Sequence, residues 1–150
     1  MRSACSRAMF RRLQAVLSVL WICAPGTALP SGDIAGVYQH EGPVAAILEV
    51  RHEAAHYVIR LEGGGSAAEG SATAADCVIE ATGNLQGAVL QARFGPVETD
   101  TFSYGAAQAE SEARMVEIAF ESGAAQVIEA DTLGYCGLGV GFSGRYRADD

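Results

Sequence analysis

Residues 134–146 read GYCGLGVGFSGRY and decide the fold that this sequence predicts. The stretch holds Cys136, five glycines and an alternation in which Val140, Phe142, Gly144 and Tyr146 share one face of an extended chain. Glycines inside a strand mark sharp bends or close approaches between backbones. We therefore interpret the stretch as a disulfide knot followed by the strand that closes a small β-structure.

A matching pattern stands near the start of the domain. Residues 36–38 (GVY) have the same G-x-Y spacing as residues 144–146 (GRY). We expect the first and last strands to pair with each other, which would close the sheet into a barrel.

Short alternating segments fill the chain between these two ends. A tight-turn signal, Thr-Gly-Asn at 82–84, predicts a hairpin, and residues 63–75 predict a low-complexity loop. Residues 106–113 fit either a helical turn or a solvated loop. The segments that predict strands are 34–40, 46–52, 57–62, 76–81, 85–94, 101–104, 115–121, 126–130 and 140–147. The predicted fold class is all-β: a small antiparallel up-and-down, lipocalin-like barrel of about eight strands with one disulfide.

The first 28 residues have the anatomy of a secretory signal peptide. An arginine-rich start precedes an apolar run at 13–24 and a small-x-small cleavage site at 26–28. The run is shorter than the ~20 residues that span a bilayer. Cleavage after Ala28 would leave residues 29–150 as a single periplasmic or secreted domain without a membrane anchor. A lipid anchor at Cys23 is the alternative, and bulky Ile22 disfavours it.

Export changes the charge of the chain. Four of the ten arginines lie in segment 1–28, so six remain against 18 acidic residues, a formal net charge of −12, and the chain has no lysine. Such acidity argues against nucleic acid as a partner, because nucleic acid demands a positive face. It favours a soluble acidic surface or a cationic protein partner.

Two cysteines remain after removal of the signal, Cys77 and Cys136. In an exported chain we expect them to pair. The bridge would close a loop of about 60 residues, worth ~4 kcal/mol in the chain-entropy model.

A competing motif, HEAAH, occupies residues 52–56. On a helix, His52 and His56 would stand one turn apart and bind Zn²⁺, while Glu53 would act as general base on the metal-bound water. Asp76 or Glu80 would be the third ligand at a longer spacing. The same residues also fit two strands around a turn, and the β-branched and aromatic residues that follow at 57–61 favour that hairpin.

The C-terminal pattern Y-C-G-x-x-x-x-F-x-G-x-Y at 135–146 resembles small exported bacterial β-domains of the periplasmic lysozyme-inhibitor type. Those domains also open with G-x-Y, as residues 36–38 do here. They often carry a second cysteine pair, which this chain lacks. The resemblance implies an exported binding module that inhibits a lysozyme.

The same resemblance implies a binding site. Ser143, Gly144, Arg145 and Tyr146 are similar to the short S-G-x-Y loop that some periplasmic inhibitors insert into a lysozyme active site. The alternative is that these residues form the barrel-closing strand, with Tyr146 packed inward.

Three functions therefore stand as hypotheses. The first is a binding module without a cofactor or catalytic residues, directed at a cationic protein such as a lysozyme. The second is a zinc-dependent hydrolase built on residues 52–56. The third is a small lipocalin-like carrier of an apolar ligand, which needs a cavity of about 300 Å³ or more inside a domain rich in alanine and glycine.

Overall fold

A computed structural model of the chain describes residues 33–66, 77–100, 102–137 and 140–149. The predicted signal peptide at 1–28, including Cys23, lies outside the described residues, as do residues 67–75 of the predicted low-complexity loop and Asp76. No helix in the described ranges is long and apolar enough to cross a membrane. The elements are β1 (Gly36–His40), β2 (Val44–Glu53), β3 (His56–Ser66), β4 (Cys77–Gln86), β5 (Val89–Phe94), β6 (Val97–Glu98), β7 (Ser103–Tyr104), α1 (Ala106–Glu112), β8 (Met115–Glu121), β9 (Ala124–Ala130) and β10 (Gly144–Ala148).

Eight of these strands close into an antiparallel barrel in the order β1-β10-β9-β8-β5-β4-β3-β2. Every neighbouring pair is antiparallel. The segment between β5 and β8 leaves the barrel to form the two-stranded β6–β7 sheet and the helix α1. The predicted all-β up-and-down barrel is confirmed.

The barrel closes where β1 pairs with β10, as the two G-x-Y patterns predicted. Gln39 lies opposite Arg147 in this ladder. The Tyr38 hydroxyl donates to the carbonyl of Ile34, and the Tyr146 hydroxyl donates to the carbonyl of Phe142, each over 2.8 Å and four residues back along the chain. Each tyrosine thereby fixes the segment that enters its own strand.

The interior follows from the alternation of apolar residues along each strand. Side chains of one parity point inward and join in a single core cluster, whereas their neighbours face solvent. The largest fully buried side chains are Tyr104, Tyr146, Phe142, Leu48, Ile59, Leu61, Ile79, Leu90, Ile118, Val50, Val116 and Val127.

The predicted disulfide between Cys77 and Cys136 is confirmed, with the Cα atoms 5.5 Å apart. It joins the first residue of β4 to the loop that follows β9. The adjacent Tyr135 donates its hydroxyl to the carbonyl of Val78 over 2.9 Å. Its ring packs edge-on against three aromatic rings, with centroids about 5 Å away: Phe94, Phe102 and Tyr104.

The hairpin turn predicted at 82–84 is wrong. The strand β4 continues through these residues to Gln86, and the turn lies at residues 87–88, where Gly87 has a φ of 64°. Gly83 serves a close approach instead, because a Cβ there would lie 2.0 Å from the backbone oxygen of Gln91 on β5.

Other predicted boundaries shift. The predicted loop at 63–75 is wrong at residues 63–66, which belong to β3, and its remaining residues lie outside the described ranges. The open alternative at 106–113 resolves as a helix, α1. The closing strand begins at Gly144 rather than at 140. Phe142 is buried ahead of the strand, and its carbonyl accepts a hydrogen bond from the Tyr146 hydroxyl.

Removal of the disulfide should weaken the barrel. We expect the Cys77→Ala/Cys136→Ala variant of residues 29–150 to lose about 4 kcal/mol of unfolding free energy, because the unfolded chain regains the freedom of a loop of about 60 residues. Urea denaturation of both proteins measures the change. Reduction of the wild type should produce a similar loss, and an unchanged midpoint in both cases would contradict the prediction.

The buried tyrosines should make the fold sensitive to alkali. Burial raises the pKa of four phenols, those of Tyr38, Tyr104, Tyr135 and Tyr146, because a buried phenolate would lose its hydration. Their stabilising contribution is complete below about pH 10, the pKa of an unfolded tyrosine. It then falls as the pH rises toward the folded values, by up to about 1.4 kcal/mol per pH unit for each tyrosine.

Urea denaturation across a series of alkaline pH values should therefore show a stability that declines from about pH 10 upward. Tyrosinate absorbance and far-ultraviolet circular dichroism of the same samples should change together, since these phenols ionise as the barrel opens. Ionisation of all the tyrosines in a protein with an unchanged dichroism spectrum would contradict this expectation.

Candidate functional site

The HEAAH motif forms a β-hairpin. The strand β2 ends at Glu53, β3 begins at His56, and the two alanines between them make the turn, with Ala54 at a φ of 53°. In the ladder, His52 lies opposite Tyr57 and Glu53 lies opposite His56.

This register separates the two histidines. Side chains alternate along a strand, so His52 and Tyr57 project from one face of the hairpin, whereas Glu53 and His56 project from the other. The rings of His52 and Tyr57 stack with centroids 4.6 Å apart. The spacing that a helix would give to a zinc site is therefore not formed.

The proposed third ligands do not restore such a site. Glu80 forms an ion pair with Arg60 at 2.6 Å, and Asp76 lies outside the described residues. In the part of the chain that the structure describes, no group of three or more histidine, cysteine, aspartate or glutamate residues is placed to hold a metal ion.

The predicted binding segment at 143–146 lies at the barrel seam. Ser143 and Arg145 are exposed, whereas Tyr146 is fully buried. Gly144 has a φ of 144°, and a Cβ at this position would lie 2.4 Å from Nε2 of His40. Residues 144–146 thus begin the barrel-closing strand, with Tyr146 packed inward, and Ser143 directly precedes it. Ser143 and Arg145 are the two exposed side chains of the segment.

Arg145 connects three parts of the seam. Its Nε lies 3.2 Å from Glu41, in the β1–β2 connection, and its Nη1 lies 3.2 Å from Glu121, at the end of β8. In the β9–β10 ladder Arg145 lies opposite Gln126, so both side chains belong to the outer surface of β9 and β10. A role for Arg145 in binding stays a prediction.

Sequence reasoning missed a pair of carboxylates. Glu117 on β8 lies directly opposite Glu129 on β9, and neither forms an ion pair with an arginine of the described residues. Glu117 accepts a hydrogen bond from Gln91 at 3.0 Å. The sequence shows that both glutamates face outward, but only the register, which includes a bulge, shows that they face each other.

Comparison with protein-family models, with curated proteins and with solved structures finds no match for this chain.

The hairpin geometry predicts that zinc will not stabilise the wild-type domain. We expect zinc chloride to leave the thermal midpoint of residues 29–150 unchanged, because His52 and His56 face opposite sides of the sheet. The Glu53→His variant is a matched positive control, since it places a histidine directly opposite His56 on one face. Its midpoint should rise with zinc. A zinc-dependent rise in the wild type that disappears in His52→Ala would overturn the hairpin interpretation.

Proposed function

We propose that the chain is an exported binding module, periplasmic or secreted, that inhibits a cationic cell-wall hydrolase of the lysozyme class. The Cys77–Cys136 bridge is compatible with an oxidising, extracellular environment. The sequence resemblance to periplasmic lysozyme inhibitors suggests the class of target. The acidic surface of the barrel supports a target that is cationic.

The observation that carries the proposal is that the arginines are already paired. Each of the six arginines outside segment 1–28 has a partner, so the 18 acidic residues outnumber a basic complement that is already engaged. A rigid acidic surface attracts cationic proteins and accelerates their association. The pairs are Arg51 with Glu49, Arg60 with Glu80, Arg93 with the Glu110 carbonyl, Arg114 with Asp131, Arg145 with Glu121, and Arg147 with Glu41.

The packing of the barrel favours binding at its surface over the carrier hypothesis. The inward-facing aliphatic and aromatic residues form one cluster inside the barrel, where a carrier would need a ligand cavity. The zinc hydrolase hypothesis requires residues 52–56 to be helical, but these residues form a hairpin. A surface that binds another protein needs neither a cavity nor a metal.

Within the predicted segment 143–146, Arg145 is the residue that can bind a partner most strongly. Lysozymes act through two carboxylates in their cleft. A guanidinium pairs with carboxylates through charge-assisted hydrogen bonds. To engage a lysozyme, Arg145 would exchange Glu41 and Glu121 for the carboxylates of the target, while the buried Tyr146 holds the strand in place.

The proposal predicts that purified residues 29–150 inhibit at least one type of lysozyme in a lytic assay, with weaker inhibition at higher salt. Arg145→Gln should weaken inhibition by about tenfold or more, because a hydrogen bond to a charged group is worth ~1.5–3 kcal/mol.

The matched control is Arg147→Gln, which removes a neighbouring arginine that also pairs with Glu41. It should change inhibition by less than about twofold, as is usual for an exposed ion pair. An absence of inhibition across lysozyme types would reject the proposed function. Equal effects of the two substitutions would reject the role of Arg145 alone.

A further inference from the structure

The outer surface of β8, β9 and the loop after β9 differs from the rest of the barrel. We call it the β8–β9 face and define it by Met115, Glu117, Ile128, Glu129 and Leu133. It combines two carboxylates that lack arginine partners among the described residues with three exposed apolar side chains.

The two carboxylates of this face lie next to each other, whereas elsewhere on the barrel an arginine lies between two glutamates. In one row across β2, β3 and β4 the outward charges alternate, since Arg60 lies between Glu49 and Glu80. Across β8 and β9, Glu117 and Glu129 lie directly opposite each other, and their Cβ atoms are about 5 Å apart in such a pair. Like charges in this position destabilise a sheet, so a cation placed between them would be bound favourably.

The apolar side chains are concentrated beside this pair. Met115 is 43% exposed, Ile128 48% and Leu133 86%, and they are three of the five large hydrophobic residues exposed on the described surface. Ile128 is the extra residue of the β-bulge, because Val127 pairs with Ile118 while Glu129 pairs with Glu117. The bulge thus presents an isoleucine and a glutamate side by side on the outside of the barrel.

Leu133 is exposed on a firmly held backbone. Its carbonyl accepts a hydrogen bond from Nη1 of Arg114 at 2.7 Å, and the same nitrogen lies 3.2 Å from Asp131. Two residues later Tyr135 is buried, and Cys136 forms the disulfide. An apolar side chain held in this way loses little conformational entropy when a partner covers it.

Two adjoining grooves give the β8–β9 face its shape. One, of about 290 Å³, is lined by Met115, Glu117, Glu129 and neighbouring residues. The other, of about 440 Å³, follows the loop past Leu133 to Val140 and shares Glu129 with the first. A lysine or arginine side chain placed in the first groove would rest its aliphatic stem on Met115 and its charge between the two glutamates.

We propose that the β8–β9 face is the docking surface for the cationic protein partner, and this inference rests on the proposed function. The partner would supply a lysine or arginine to Glu117 and Glu129 and an apolar patch to Ile128 and Leu133. Arg145 adjoins the same surface, because its ladder partner Gln126 precedes Ile128 on β9 by two residues. The contact would therefore extend from the barrel seam across β9 to β8.

The test compares two variants with the same change in net charge. Glu117→Gln/Glu129→Gln alters the β8–β9 face, whereas Glu49→Gln/Glu53→Gln alters β2, which lies across the barrel. We expect the first variant to bind lysozyme at least tenfold more weakly, mainly through slower association, and the second to stay within about twofold. Leu133→Ser should weaken binding through faster dissociation, because it removes an apolar contact.

A stability measurement separates binding from folding. Glu117→Gln/Glu129→Gln removes a like-charge pair, so its thermal midpoint should equal or exceed that of the wild type. A variant that is at least as stable but binds more weakly would show that the carboxylates act on the partner. A variant that unfolds at a lower temperature would overturn the like-charge argument.

Amide chemical shifts recorded during titration with lysozyme and, separately, with poly-lysine distinguish this inference from the proposed function. Lysozyme bound equally by all variants would overturn the docking surface and leave the inhibitor function standing. A lack of lysozyme binding, together with poly-lysine shifts confined to the β8–β9 face, would reject the inhibitor function and support the surface. Poly-lysine shifts spread evenly over the barrel, without lysozyme binding, would reject both.

Discussion

Two consecutive contacts determine how the C-terminal part of the chain meets the barrel. Cys136 is bonded to Cys77, and the preceding Tyr135 donates a hydrogen bond to the carbonyl of Val78, the residue after Cys77. A covalent bond and a buried hydrogen bond at adjacent positions fix both the place and the direction of the loop. The loop leaves β9 at Ala130 and precedes β10, so these contacts hold the chain just before the last strand begins at Gly144.

Closure of the barrel depends on that placement. β10 pairs with β9 on one side and with β1 on the other, and it begins only at Gly144. Its entry is bent by Gly144, packed beneath His40, and locked by the hydroxyl of Tyr146 on the carbonyl of Phe142. Tyr146, which has the largest apolar area of residues 143–146, is thereby used by the fold itself, and the exposed side chains of this segment are Ser143 and Arg145.

A strand can be predicted from sequence where its apolar periodicity matches its burial. Features that depend on how two strands are aligned cannot be predicted in this way. The strand at 115–121 was predicted to its last residue, because every second side chain is apolar and the flanking residues are polar. The sequence around Gly83 predicts a turn that the structure does not contain, since a glycine that permits two strands to approach has the same local signature as a glycine in a turn. The HEAAH motif shows the same limit, as its zinc chemistry depends on whether 52 and 56 lie one helical turn apart or on opposite faces of a hairpin.

The packing of the barrel does not determine the identity of its outward-facing residues. Nothing in the packing requires glutamate at 117 and 129, because both side chains face away from the core and a glutamine or arginine would satisfy the same ladder. Solubility alone would be served by charges spread over the surface or paired with arginine, as they are around Arg60. Carboxylates that oppose each other beside exposed Ile128 and Leu133 do not stabilise the sheet. The combination would attract a cationic surface with an apolar patch, which is why we propose that the molecule binds its partner on this side of the barrel.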